Sequence, residues 1–290
     1  MGLGKTRLSD PGRDSCDDRR GRPRDLRGRG GEVPQVTHVV VIPARLESSR
    51  LPRKVLADLG GRPVIQHVYA RAAESAAEAV YVATDSAEVA SVVEGFGGVA
   101  VMTSAAHASG TDRIAEAVAR LALAPETIVV NVQGDEPELP AQLIDALSET
   151  LTADADAGMA TLSRPVADWA TFVDPNVVKV VTDARAHALY FSRAPIPWPR
   201  DAASAAAKTG VLEGGVFGQR HIGIYAYRQS VLAGYADLPP SPLERTECLE
   251  QLRALAAGVR IRVLEAGVDV PPGIDTEADL ARARERFAAD

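Results

Sequence analysis

VVVIPARLESSRLPRK, residues 39–54, is an apolar β run that breaks at a proline into a loop carrying Arg45, Arg50 and Lys54. A run as uniformly apolar as Thr37 to Ile42 belongs inside a sheet covered on both faces. The loop after it leaves the carboxyl end of a buried strand, which is where open α/β sheets bind ligands. Three cationic side chains, together with the backbone N–H groups of the turn, suit an anion. A solvated basic loop is the competing reading of these residues taken alone.

Outward from this stretch, short β-rich runs alternate with helical periodicity, the pattern of βαβ units around a mainly parallel sheet. THVVVI (37–42), AVYVAT (79–84), VAVMT (99–103) and TIVVNVQ (127–133) read as strands. Val64, Ile65, Val68, Ala72 and Ala76 mark one helix face, and Ile114, Ala117, Val118 and Leu121 another. Right-handed crossovers bring the loops after these strands to one edge, gathering Arg45 to Lys54, Thr84 and Asp85, residues 104–113, and Gln133 to Pro137. In the second half GMATLSRP, VVKVVTD, HALYFSR and RHIGIYAYR are β-rich with few helices between them, which predicts a mixed extension of the sheet. Residues 201–218 are rich in Ala and Gly and read as a flexible loop. Helices are expected near 243–257 and 276–288, separated by the strand VRIRVLE, and there is no internal repeat. The expectation is an α/β fold with a mixed, mainly parallel sheet flanked by helices.

The 290 residues, 46% of them apolar, are ample for a buried core. The first 35 differ, with nine Lys or Arg, six Asp or Glu, seven Gly and few apolar residues. Such a stretch cannot bury enough surface to offset its ordering entropy, so residues 1–35 read as a disordered arm before a domain at 36–290. The arm lacks the apolar core of a secretory signal. Its charge of +3, nine minus six, leaves −10 for the remainder of a chain at −7, which argues against a nucleic-acid partner. Only Cys16 and Cys248 occur, in contexts that give no reason to pair, and a reducing cytoplasm fits. No apolar run approaches the ~20 residues that cross a bilayer, so no membrane partner is expected.

In NVQGDEP (131–137) a strand ends in Asp135, followed by a second carboxylate and a proline. A carboxylate fixed beside a phosphate-binding loop suits Mg²⁺, which takes one or two carboxylates plus phosphate and water. A turn-capping Asp is the alternative. SGTDR (109–113) offers hydroxyls and N–H groups just before a helix, with Arg113 in the first turn, where a cation opposes the helix dipole; an ordinary Ser or Thr cap is equally open. Neither GxGxxG after the first strand nor GxxxxGK[ST] is present. Lysine occurs only at 5, 54, 179 and 208, so a lysine on the anion loop points to use of a compact ammonium. The histidines lack metal-ligand spacing, and His67 and His187 read as packed side chains. His221 differs, because strand alternation puts it on one face with Gly223, Tyr225 and Tyr227. With Arg193, Glu244, Glu247, Glu250 and Gln251 it could form a set for a carboxylated polyol, or a solvated helix face beside a core strand. Asp275 in GIDTEADL is either an N-terminal helix signal or a metal ligand.

Taken together, VVIPAR, SSRLPRK, VATD, SGTDR, VNVQGDEP, MATL, VKVV, ALYFSR, HIGIY, SPLE, LEQLR and the closing GIDT-x-x-DL resemble the 3-deoxy-manno-octulosonate cytidylyltransferase family, from about residue 38 to the C-terminus. The resemblance implies a nucleotide-diphospho-sugar transferase-like fold, CTP and an eight-carbon acid sugar of lipopolysaccharide as substrates, Mg²⁺ as cofactor and a homodimer. The N-terminal half would bind CTP, and the C-terminal half the sugar and the second subunit. By carry-over, Arg45, Arg50 and Lys54 hold the triphosphate, with Arg50, Lys54 and Asp135 as catalytic residues. Ala44, Ser109, Arg113 and Gln133 lie by the nucleotide, and Asp135 and Asp275 ligate Mg²⁺. Arg193, His221, Tyr225, Glu250 and Gln251 line the sugar pocket. The implied reaction is in-line attack of the sugar's anomeric hydroxyl on the α-phosphate of CTP.

The chain departs from the family pattern at Arg53, where Gly is frequent, at Asp112, where Glu is commoner, and in the composition of 201–218; the arm has no counterpart. Two rival functions remain at this level: a cytidylyltransferase for another acid sugar, such as an 8-amino octulosonate or a sialic acid, and a non-catalytic nucleotide-sugar sensor.

Overall fold

The computed structural model describes residues 1–2, 38–48, 50–107, 109–201, 203, 206, 209–211 and 215–288. The chain divides into two units, Met1–Gln35 and Val36–Asp290, and every element below belongs to the second. The arm expected over 1–35 lies outside the described residues beyond Gly2, as does Thr37 at the head of the first expected strand.

β1 (His38–Ala44) is the apolar run of the opening stretch, and its alternation feeds two cores. Val40 and Ile42 point into one apolar layer and Val39 and Val41 into the other, so the strand is buried from both sides. A 3₁₀ turn (Lys54–Leu56) and a small hairpin, β2 (Asp58–Leu59) with β3 (Arg62–Pro63), lead to α1 (Val64–Ala73). There follow β4 (Ala79–Thr84), α2 (Ala87–Gly95), β5 (Val99–Met102), α3 (Gly110–Leu121), β6 (Ile128–Asn131) and α4 (Ala141–Ala153). β6, β1, β4 and β5 are neighbours in that order and all parallel, as the βαβ pattern requires. Val64, Ile65, Val68 and Ala72 form the buried face of α1; the helix stops before Ala76, whose N–H donates to Asp145 Oδ1 at 2.9 Å.

The second half supplies β7 (Met159–Val166), α5 (Trp169–Val173), β8 (Lys179–Thr182), β9 (Ala188–Ser192), β10 (Gly218–Arg228), α6 (Gln229–Tyr235), α7 (Pro242–Glu247), α8 (Gln251–Ala256), β11 (Ile261–Glu265) and α9 (Glu277–Phe287). β10 runs antiparallel to β6, β7 and β8, and β11 parallel to β7. The result is one mixed sheet ordered β11-β7-β10-β6-β1-β4-β5, with β8 and β9 attached beside β10. Residues from α1, α2, α4 and α9 fill one apolar layer, and residues from α3, α6 and α8 the other. No helix among the described residues is long and apolar enough to cross a membrane.

Two segments differ from expectation. The single helix expected at 243–257 is two, broken at Cys248, which takes a left-handed backbone (φ 54°) and closes α7 through its N–H to Glu244 O. The turn buries Leu249 and Leu252 in the core, a gain that a straight helix would forgo. Within 201–218, the described Ala203, Ala206 and Thr209 have helical backbone rather than the expected loop. Alanine is the strongest helix former, and Ala206 and Phe217 are buried with Val166 and Phe172 in a third apolar cluster.

Candidate active site

Three backbone links assemble the site at the carboxyl edge of the parallel strands. Gly134 lies so close to β1 that a Cβ there would stand 2.9 Å from Pro43 O, so only glycine lets the 133–135 turn approach. Ile274 N donates to Asp135 O at 2.8 Å, which lays Asp275 beside Asp135. Arg53 has a left-handed backbone (φ 60°) just before Lys54, which starts the 3₁₀ turn. Lys54 Nζ then donates to Asp135 Oδ2 and, at 3.0 Å, to Asp275 Oδ1. Arg50 reaches the same Asp275 oxygen at 3.0 Å.

These residues line a cavity of about 290 Å³ with Ala44, Arg45, Ser48, His107, Ser109, Arg113 and Gln133 on its walls. Burial opposes the charge on Lys54, but Asp135 and then Asp275 outweigh it and raise its pKa, so the ammonium is held charged. Glu136, behind them, is pushed up to about 8 by burial and by the neighbouring Asp135 and Asp275 charges. The helix-signal reading of Asp275 passes to its neighbour: Thr276 caps α9 in a capping box with Asp279, which leaves the Asp275 carboxylate for Lys54 and Arg50. The capping alternative for Asp135 is not used either, since α4 has no side-chain cap.

In SGTDR the cap reading is realised by Ser109, while Arg113 lies on the cavity wall. Ser109 is the cap of α3, accepting from Asp112 N at 3.1 Å and donating to Asp112 Oδ2 at 2.8 Å. Arg113 is 4% exposed, donates to Thr103 Oγ1 at 2.7 Å and pairs with Asp85 Oδ2 at 3.0 Å. It ties the loops after β4 and β5 to α3 while lining the cavity. Arg53 points elsewhere, its guanidinium paired with Glu88 of α2.

A second cavity of about 260 Å³ adjoins the first and shares Gly110, Gln133 and Glu250 with it. His221, Tyr225, Glu250 and Gln251 from the sequence-based set line it, with Thr111, Asn131, Tyr227, Tyr235 and Cys248. The β10 register shifts between Ile222 and Tyr225 against β7, leaving two residues unpaired. Because the insert is even, the expected alternation survives: His221 packs against Tyr225 with tilted rings (5.4 Å between centroids), and Tyr225 likewise against Tyr227 (5.8 Å). The hydroxyl of Thr161, wholly buried, lies 2.7 Å from Ile224 O, 3.2 Å from Ile222 O and 3.0 Å from His221 Nε2. Its single proton goes to the nearer carbonyl, so His221 donates through Nε2–H and keeps Nδ1 as an acceptor. Burial lowers the His221 pKa to about 3, so the ring is neutral at pH 7. Burial raises Glu250, against the hydrogen bond from Thr111 Oγ1 at 2.8 Å.

Arg193 is not brought into this lining. Its N–H donates to Glu247 Oε2 at 2.9 Å, its Nε to Glu247 O at 2.7 Å and its Nη1 to Pro175 O at 3.1 Å. The wholly buried Lys179 holds the Arg193 carbonyl at 2.7 Å. Arg193 thus abuts the turn at 247–251 that carries Glu250 and Gln251. Glu244 and Glu247, grouped with them on helical spacing, serve structure: Glu244 joins the Ser241 capping box and pairs with Arg253, and Glu247 holds Ser192 and Arg193.

Ser48, His107, Thr111, Asn131 and Tyr235 line the cavities without having been singled out. Thr111 and Asn131 sat inside quoted motifs, and His107 lay two residues before one. His107 Nε2 is held by Glu116, whose carboxyl is drawn down to about 2 by the Ser104 N–H, His107 and Arg120.

The donor set suits a small hard cation: two carboxylates converge on one ammonium beside an open, cation-lined cavity, and Mg²⁺ takes one or two carboxylates and fills its remaining positions with water or phosphate oxygen. No group of three or more His, Cys, Asp or Glu suited to a metal occurs among the described residues.

The family model described as cytidylyltransferase matches residues 39–261. A 3-deoxy-manno-octulosonate cytidylyltransferase of Hahella chejuensis is 54% identical over 245 residues, 84% of this chain and 95% of the relative. Those of Cellvibrio japonicus (52% over 245 residues; 84% and 96%) and Idiomarina loihiensis (51% over 255 residues; 88% and 100%) are similarly related. Among solved structures, a CMP:2-keto-3-deoxy-manno-octonic acid synthetase complexed with CTP superposes with a TM-score of 0.78 at 42% identity, covering 87% of this chain and 99% of the other. A cytidylyltransferase of Leptospira borgpetersenii, 16% identical with a TM-score of 0.58, covering 88% of each chain, shares the fold.

Proposed function

The chain belongs to the 3-deoxy-manno-octulosonate cytidylyltransferase family, and from that premise we infer that it converts CTP and 3-deoxy-D-manno-octulosonate into the CMP-linked sugar and pyrophosphate, for lipopolysaccharide assembly. The observation that carries this reading is the pair of adjoining cavities, one cationic and one polar, that share Gly110, Gln133 and Glu250. A phosphate in the first and a hydroxyl in the second would meet at that wall.

In this reading Arg45, Arg50 and Lys54 hold the triphosphate, and Ala44, Ser109, Arg113 and Gln133 surround the nucleoside end. Lys54 is preorganised, its ammonium charged and aimed before substrate arrives, so it neutralises phosphate charge without reorganising. His221, Tyr225, Glu250 and Gln251 orient the sugar, and Arg193 braces the 247–251 turn through Glu247. The anomeric hydroxyl oxygen forms a bond to the α-phosphorus as the bond to the bridging oxygen of pyrophosphate breaks. The electron pair leaves on pyrophosphate and the hydroxyl proton is released. Catalysis is then mainly positioning and charge neutralisation. Asp135 and Asp275 hold Mg²⁺, which when bound offsets charge on the phosphate oxygens. The enzyme acts as a homodimer in the cytoplasm, a reducing compartment suited to its two cysteines.

The test is pyrophosphate release from CTP, UTP, ATP and GTP, each with 3-deoxy-manno-octulosonate, its 8-amino analogue and sialic acid, in Mg²⁺ and after chelation. Release is expected with CTP and the first sugar, and is lost on chelation. Silence with that pair in Mg²⁺ rules out the reading, and turnover that survives chelation removes the metal assignment.

A further inference from the structure

We propose that Asn131 recognises the acid sugar directly, its amide oxygen accepting a hydrogen bond from a sugar hydroxyl, with the Gln251 amide nitrogen as a matching donor in the same cavity. The inference rests on the reading of the second cavity as the sugar site.

Asn131 ends β6 and pairs with Val41 of β1 on one side and Tyr225 of β10 on the other, so its backbone is fixed by two ladders. Directly opposed residues on neighbouring strands share a face, which sets the Asn131 side chain beside Tyr225. Both line the second cavity. Asn131 is 2% exposed, yet its Oδ1 has no hydrogen-bond partner among the described residues.

Gln251, 6% exposed on another wall of that cavity, has the complementary vacancy: its Nε2 is buried without a partner. Two polar neighbours already have protein partners, Glu250 Oε2 in the Thr111 hydroxyl and His221 Nε2 in the Thr161 hydroxyl. Buried side-chain polar atoms are nearly always paired, and an unpaired one on a cavity wall calls for a partner from outside the chain, whether a water, an ion or a ligand. One free acceptor and one free donor match hydroxyl chemistry, since a hydroxyl both donates and accepts. A site built to bond a hydroxyl also rejects analogues that lack it, which makes Asn131 a specificity determinant as well as a contact.

The experiment is steady-state kinetics of wild type and Asn131→Ala with CTP, 3-deoxy-manno-octulosonate and its monodeoxy analogues. The expected result is an acid-sugar KM raised about ten-fold, as for loss of one hydrogen bond in a buried site, with the CTP KM within about two-fold of wild type. One monodeoxy analogue should be penalised in wild type but not further in Asn131→Ala, which identifies the hydroxyl. An unchanged acid-sugar KM, both KM values rising together, or additive losses for every analogue would overturn the proposal. Wild type failing to turn over the acid sugar at all would instead sink the underlying reading of the cavity. Should Asn131→Ala not fold, Asn131→Asp keeps the shape and the oxygen: the analogue penalty persists in it if that oxygen is the contact, and its disappearance refutes the assignment.

Discussion

Arg53 turns the cationic loop through a left-handed backbone (φ 60°, ψ 26°), a conformation in which a Cβ is strained and glycine is not. Its charge does not serve the cavity, because the guanidinium is paired with Glu88 on α2. The departure from the glycine common in the family therefore puts strain in the backbone and adds an exposed ion pair, with little consequence for the anion. This gives an ordering that helix propensity would not. Arg53→Ala loses the ion pair and keeps the strain, while Arg53→Gly loses the ion pair and relieves it, so the glycine variant should be the more stable of the two in urea unfolding. Both should bind CTP with a KM close to wild type. A less stable glycine variant, or a many-fold rise in the CTP KM of either, contradicts this account. Lys54, one residue on, is the converse case, a side chain with one position and three anionic claims on it: Asp135, Asp275 and, on our reading, phosphate.

At the scale of elements, the second cavity depends on two irregularities, the unpaired pair in β10 and the break at Cys248. The first is locked by Thr161, whose hydroxyl meets the carbonyls of Ile222 and Ile224 and the ring of His221. Thr161→Val keeps the shape and removes the hydroxyl, leaving a buried carbonyl and the His221 donor without their partner. The expected cost is about 1–3 kcal/mol in chemical unfolding, with a raised KM for the acid sugar and an unchanged KM for CTP. A neutral variant would show that the bulge is held by its flanking ladders alone. These irregularities also mark where the sequence stopped being legible. The apolar run of β1 announced its place in the sheet, since no other environment accepts such a strand, and the cations after it followed from topology. The bulge in β10 was invisible, but being even it left the face of His221 and Tyr225 correctly readable. The break at Cys248 was not readable, because nothing in LERTECLEQLR marks a left-handed residue: the usual glycine is absent, and burial of Leu249 and Leu252 decides the turn. For the same reason four glutamine and glutamate positions that share one helical stripe in sequence divide between a cavity wall and a structural brace.

At the scale of the molecule, both main layers of the sheet are covered by helices, yet large apolar side chains remain exposed along one stretch of chain: Leu189 (60%), Trp198 (55%), Val211 (60%) and Val216 (46%). Scattered exposed hydrophobics need no explanation; here Trp198 packs at 5.8 Å on Trp169 of the aromatic cluster, and on our reading a subunit interface would take up these side chains. Leu189 lies on β9, which pairs with β8, while His187 just before it bridges to Arg262 of β11. A second copy of the chain is the occupant that our reading of the protein as a homodimer requires. The same stretch leads through Ser192 and Arg193 into Glu247 and the turn of Glu250 and Gln251, so covering it would brace the sugar wall without touching the nucleotide wall. Wild type should then sediment at twice the 30.6 kDa of one chain, and the double variant Leu189→Glu, Trp198→Glu at the monomer mass. The monomeric variant should keep its KM for CTP and lose affinity for the acid sugar. A monomeric wild type would remove the dimer, whereas a monomeric variant with both KM values intact would keep the interface and detach it from the sugar site.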